Sequence, residues 1–159
     1  MKTSNIASYV LSVTKELVPQ KKIDYNFLAE REVKLVEEMG ELAQAVLSEQ
    51  SIKGSEYKNL SSHDVLEEAV DVFLVAVTIS YCHSILHSWS ESLMLELNED
   101  DVRDLDYLLN RHKIGTLRVL AMSQFGNYHF ETTALVLYFM IKVYDFSEED
   151  IMKMLDKKI

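Results

Sequence analysis

An all-α fold is predicted for this chain of 159 residues, and three observations carry the prediction. Apolar residues recur at helical spacings of three, four and seven along most of its length. Only 1 Pro and 4 Gly occur in the whole sequence, too few turn-formers for a β-sandwich or barrel. No low-complexity stretch or long linker interrupts the pattern, so 1–159 reads as a single domain of short-connected helices, a bundle.

The elements follow in order. A first helix is expected over 3–18, stopping at Pro19. The polar PQKKIDYN connects it to a second helix over about 26–49, whose apolar residues are Leu28, Leu35, Met39, Leu42 and Val46. The stretch 51–62 reads as a loop. Ser61 or Ser62 is the expected cap of a third helix reaching about residue 88, with Asp64 and Glu67 in its first turn. The middle of that helix, VDVFLVAVTIS, is apolar almost all round and belongs at the centre of the bundle. Asn98 is the expected cap of a fourth helix over about 99–125. GNYHF, 126–130, breaks the pattern before a fifth helix over about 130–144. Ser147, with Asp150 three residues later, starts a sixth and last one ending near 157.

Composition narrows the function. The apolar fraction is 48%, with 8 Tyr, 6 Phe and 1 Trp, which excludes wholesale disorder. A chain of this length buries a core without disulfides. The single cysteine, Cys82, permits no intrachain disulfide and no Cys-based zinc site, and reads as buried filler in a reducing compartment. The N-terminus is amphipathic and lacks the apolar core of a signal peptide. The longest apolar run, VFLVAV at 72–77, is far short of a membrane span. A cytoplasmic location is therefore expected. The 26 acidic residues outnumber the 16 basic ones, for a net charge of −10. That disfavours nucleic-acid polymers and anionic membranes as partners. So acidic a chain handles phosphates through a bound cation. The acidity is also localised. Residues 30–71 hold 11 acids against 4 bases, an excess of seven out of the ten.

Two segments account for this. VEEMGEL carries Glu37, Glu38 and Glu41; LEEAVDV carries Glu67, Glu68 and Asp71. Glu38 and Glu41 lie three apart on one helix face, as do Glu68 and Asp71. If the two helices pack antiparallel, all four carboxylates converge at one depth of the bundle. Either half alone reads as a solvated acidic face. Together they are harder to dismiss. Asp71 adjoins a helix with little solvent face, few bases lie near in sequence, and like charges at this spacing oppose helix formation by about 0.2–0.5 kcal/mol per pair. Converged carboxylates protonate or repel unless a cation sits among them. Four oxygen ligands without His or Cys suit a hard ion, Mg²⁺ or Mn²⁺. A carboxylate-bridged di-iron bundle needs Glu three residues before His. The residues three before the five histidines are Leu60, Ser80, Ser84, Leu109 and Gly126, so that alternative fails.

The conjunction of EExxE with ExxD, 26 residues separating Glu41 from Glu68, resembles the MazG-like all-α nucleoside triphosphate pyrophosphatases. These are related to phosphoribosyl-ATP pyrophosphatase and the dimeric dUTPases. The likeness covers roughly 26–85, in KLVEEMGELAQAV and LEEAVDVFLV, and includes Gly40. It implies that Glu38, Glu41, Glu68 and Asp71 hold Mg²⁺, while Glu37 supports them or orients the attacking water. It further implies hydrolysis of a nucleoside triphosphate to the monophosphate and pyrophosphate. A glycine inside a helix costs about 1 kcal/mol relative to Ala. A close helix crossing at Gly40, or simple core packing, is the expected reason.

The C-terminal half carries an echo. HKIGTLRVLAM, 112–122, aligns without gaps with EEMGELAQAVL, 37–47, and ETTALVLYFMI, 131–141, with EAVDVFLVAVT, 68–78. Gly115 matches Gly40 and Glu131 matches Glu68, but His112, Lys113, Thr116 and Ala134 replace Glu37, Glu38, Glu41 and Asp71. The chain thus reads as a fused tandem pseudo-dimer, with a motif-bearing half over 1–90 and a degenerate copy over 99–159. Two amphipathic helices with one glycine each also align by chance. Lys113 then faces the active half, pairing with a phosphate or with an excess carboxylate. Lys53 and Lys58 flank the 51–62 loop and are further candidates for a triphosphate, as are Lys153, Lys157 and Lys158 near the end. Each also reads as an ordinary solvated lysine. Trp89, Tyr81 and His83 are candidate base contacts that more commonly serve as packing. The favoured function is a Mg²⁺-dependent nucleotide pyrophosphohydrolase, with homo-oligomerisation open. The alternative is a non-catalytic helical regulator that retains the acidic motif.

Overall fold

A computed structural model of the chain describes the backbone of residues 3–50, 64–88, 98–124 and 129–159. Among these residues every element is helical. The fold is an all-α bundle of α1 (Thr3–Leu17), α2 (Tyr25–Glu49), α3 (Val65–His87), α4 (Glu99–Leu109), α5 (Lys113–Ser123), α6 (His129–Tyr138) and α7 (Glu148–Lys158). A single 3₁₀ turn, Gln20–Lys22, follows Pro19, and a π turn, Phe139–Val143, prolongs α6.

α3 is central. It packs against α1, α2, α6 and α7. Val72, Phe73, Val77, Ile79 and Cys82 are all fully buried. By length and composition α3 could cross a membrane, because its small and aromatic residues extend the apolar window well past VFLVAV. Here 67% of that window is buried inside the fold. α2 and α7 turn an apolar face inward with Leu35, Leu42 and Val46, and with Ile151 and Leu155, and α5 adds Leu120 to the core from its place against α2 and α6.

The helix ends are fixed by side chains. Asp24 accepts from the Phe27 amide at 2.7 Å, Asn98 from Asp101 at 2.8 Å and Ser147 from Asp150 at 3.1 Å. Each satisfies an amide that the helix leaves without a partner. Ser61 and Ser62 lie outside the described residues. The cap of α3 is Asp64, whose carboxylate accepts from the Leu66 amide at 2.8 Å.

The single helix expected over 99–125 is in fact two. Asn110 and Arg111 both adopt the left-handed conformation, with φ of 49° and 52°. Asn tolerates that region through its short polar side chain. His112 then starts α5, its Nδ1 accepting from the Gly115 amide at 2.9 Å. The corner is tied down by Asp106, which accepts from Arg111 at 2.9 and 3.0 Å and from the Tyr138 hydroxyl at 2.6 Å. The Arg111 guanidinium, aided by the Tyr138 hydrogen bond, holds the Asp106 carboxyl below its ordinary pKa against a partial desolvation. α4 has no buried residue, so this polar tie to α6 is a principal anchor for it.

Gly40 corrects a second expectation. It is exposed, and a Cβ built on it meets nothing within 4 Å. Neither a helix crossing nor core packing accounts for it, and nothing in the structure explains it. The matched Gly115 is different: its Cβ would press on the His112 ring at 3.3 Å. Gly40→Ala should therefore raise the unfolding free energy by about 0.5–1 kcal/mol in urea titration, the ordinary helix-interior gain. A loss of stability would show that the folded chain does need the missing side chain there.

Candidate metal centre

α2 and α3 run antiparallel, so the C-terminal end of α3 lies by the N-terminal part of α2. Cys82 feels the charges of Arg31 and Glu32, for example, while burial pushes its thiol up to about 11. The same packing brings the EExxE and ExxD segments together. One ligand oxygen from each of Glu38, Glu41 and Glu68 lies within 4.8 Å of the others. Glu38 and Glu68 are only 6% exposed, and Glu41 is half-buried.

This arrangement is electrostatically costly. Three carboxylates at such separations repel, and burial removes the water that would screen them. Lys34, one turn before Glu38 on α2, answers part of the charge. Its Nζ lies 2.9 Å from Glu38 Oε1 and 3.1 Å from Glu37 Oε2. The hydrogen bonds to Glu38 and then Glu37 raise the Lys34 pKa well above the usual lysine value. Glu38 Oε2 remains buried without a hydrogen-bond partner. A buried charged acceptor in that state costs more than an ordinary one.

Asp71, the fourth expected ligand, is outside the trio. Its Oδ2 accepts from Lys158 Nζ at 3.0 Å, and the same ammonium is 2.9 Å from Glu67 Oε1. Burial raises the Asp71 pKa, with the nearby charges of Glu38 and Glu67 adding to it, while Lys158 opposes the rise. Partial burial works against the Lys158 charge, but Glu67 and Asp71 together hold its pKa above the usual value. Glu37 stands at the rim, its side chain 58% exposed.

The other expected residues lie elsewhere. Lys113 pairs with Glu49 of α2 at 2.9 Å and sits 4.4 Å above the Tyr144 ring. Glu49 is two turns beyond Glu41, about 12 Å along the helix at 1.5 Å per residue. Lys53, Lys58 and Trp89 lie outside the described residues, as does the Glu131 side chain. Lys153 pairs with Glu149 at the surface, at 2.9 Å, and Lys157 is exposed. Tyr81 and His83 are buried, the latter stacked on His87 with 5.2 Å between ring centroids.

Sequence reasoning missed the two lysine counter-ions. Lys34 was visible at helical spacing from Glu38. Lys158 carries no local signal, being 87 residues from Asp71.

The donor set fits a small hard cation. It offers oxygen only, from two helices, and Glu38 Oε2 is buried without a donor. No protein-family profile, curated protein or solved structure matches the chain. Glu41→Gln removes one of three mutually repelling charges. It should stabilise the fold in EDTA by several tenths of a kcal/mol, about the size of a like-charge helix pair. Chemical denaturation measures this, and a loss of stability would show that the trio is not under repulsion.

Proposed function

We propose that this chain is a MazG-like, Mg²⁺-dependent nucleoside triphosphate pyrophosphohydrolase acting in the cytoplasm. The observation that carries the reading is the meeting of Glu38, Glu41 and Glu68, the heart of the EExxE and ExxD segments, in one mostly buried cluster. In this reading the three carboxylates hold Mg²⁺, or Mn²⁺, and Asp71 joins them. The bound ion would supply neutralisation of phosphate charge and a water of lowered pKa. Glu37, exposed at the rim and fixed through Lys34, orients the attacking water. The products are the nucleoside monophosphate and pyrophosphate.

The packing also supports the pseudo-dimer reading. α2 packs on α3, and α5 on α6, as two pairs. Across them α2 meets α5 and α3 meets α6. An approximate two-fold exchanging the pairs would relate each aligned segment to its counterpart. The second pair keeps only Glu131 of the matched acids, and its α5 is 11 residues long against 25 for α2. In this reading it closes the bundle and Lys113 braces it to α2.

One observation favours the alternative of a non-catalytic regulator. Lys34 and Lys158 already reach into the acidic neighbourhood, as they would in a protein that neutralises its own relic site. Incubation with Mg²⁺ and a panel of NTPs and dNTPs separates the two. The enzyme releases pyrophosphate from at least one nucleotide. Glu38→Gln or Glu41→Gln should lower that rate by at least about 10–100-fold, the loss that removal of a metal-supporting group brings, with the helical circular dichroism unchanged. No turnover on any nucleotide favours the regulator, and phosphate in place of pyrophosphate means a different reaction.

A further inference from the structure

Lys158 occupies an unusual place. It lies in the last turn of α7, and its Nζ bridges Glu67 and Asp71, four residues apart on one face of α3. This is not a loose surface lysine. Its side chain is 23% exposed, and those of Glu67 and Asp71 are 33% and 21% exposed. α7 delivers it from a docked position. Ile151 and Leu155 of that helix are fully buried, and Asp156 accepts from the Tyr9 hydroxyl of α1 at 2.8 Å. One turn along α3 from Asp71 stands Glu68, a member of the carboxylate trio.

We propose that Lys158 is a built-in counter-ion that competes with a divalent cation for Asp71. Docked α7 then keeps the acidic centre in a low-affinity state, and cation binding displaces Lys158. The inference rests on the metal-centre reading above. Its physical basis is like-charge exclusion. With an ammonium 3.0 Å from Asp71 Oδ2, a divalent ion on either oxygen of that carboxylate would be only a few ångströms from a positive charge. The cation must therefore either forgo Asp71 or break the Lys158–Asp71 ion pair. Lys34 opposes a cation on Glu38 in the same way. It differs in its freedom to move: its side chain is 37% exposed against 23% for Lys158, and it stands on the same helix as Glu38, so it can turn to solvent without disturbing a second helix.

Mn²⁺ binding, followed without nucleotide by the paramagnetic resonance of the free ion, tests this on the wild type, Lys158→Met and Lys157→Met. Methionine keeps most of the apolar stem of lysine and removes the charge. Lys157 is the adjacent exposed residue and undergoes the same charge change. Lys158→Met should bind Mn²⁺ roughly tenfold more tightly than wild type, and Lys157→Met within about twofold, as expected for a screened surface charge. Lys158→Gln, which keeps a donor for Glu67, should shift affinity in the same direction and guards against misfolding of the Met variant. Mn²⁺ should also speed amide exchange in the last turn of wild-type α7, with no further effect in Lys158→Met. Equal tightening in the Lys157 and Lys158 variants would reduce the effect to general electrostatics and overturn the proposal. Unchanged or weaker binding in the Lys158 variants would overturn it too. If none of the proteins bound Mn²⁺ at millimolar concentration, the metal centre itself would fall, and the competition with it.

Discussion

With no solvent face along Val72, Phe73, Val77 and Ile79, α3 must be covered on every side, and α1, α2, α6 and α7 are arranged to do so. Full burial of an aliphatic or aromatic side chain contributes about 1.5–3 kcal/mol. Four such residues on one helix therefore outweigh the roughly 1 kcal/mol from any single cap and the few tenths from a surface ion pair. This apolar demand sets where the acids go. Glu68 and Asp71 lie in the first two turns of the same helix, so covering α3 with α2 and α7 draws their carboxylates inward. Glu38 and Glu41 arrive on α2 and Lys158 on α7. The polar cluster is thus a by-product of where hydrophobic burial places three helices.

Such a cluster is poor engineering for a protein that only has to fold. An apolar or amide side chain at Glu41 would remove repulsion without disturbing Leu42 or Ala45 behind it. Sites that oppose folding in this way commonly mark function, because binding repays what folding gives up. The lysines sharpen the point. They compensate Glu37, Glu38, Glu67 and Asp71 from two different helices, yet leave Glu38 Oε2 without a donor.

Much of this was legible in the residues. The paucity of Pro and Gly and the 3.6-residue pattern predicted helices, and the apolar circumference of α3 predicted its central place. Three of the four expected ligands meet: Glu38 and Glu41 because residues three apart on a helix share a face, and Glu68 because α3 packs against α2. What escaped depends on other information. The α4–α5 corner turns on the left-handed backbone at Asn110 and Arg111, which the periodicity of Val102, Leu105 and Leu109 masks. Lys158 reaches Asp71 through tertiary packing alone. Gly40 invited a packing explanation from its position in the motif, but it faces open space.

The separation of Lys158 from Asp71 has a consequence for how the molecule is made. A ribosome produces α2 and α3, with all their carboxylates and Lys34, long before it reaches α7. N-terminal structure forms first during synthesis. While the chain is still growing, the acidic centre therefore exists with its local counter-charge and without its distant one. On the proposed metal-centre reading, Mg²⁺ would meet the nascent site at that stage unopposed by Lys158, and the order of translation would then favour the cation over the lysine.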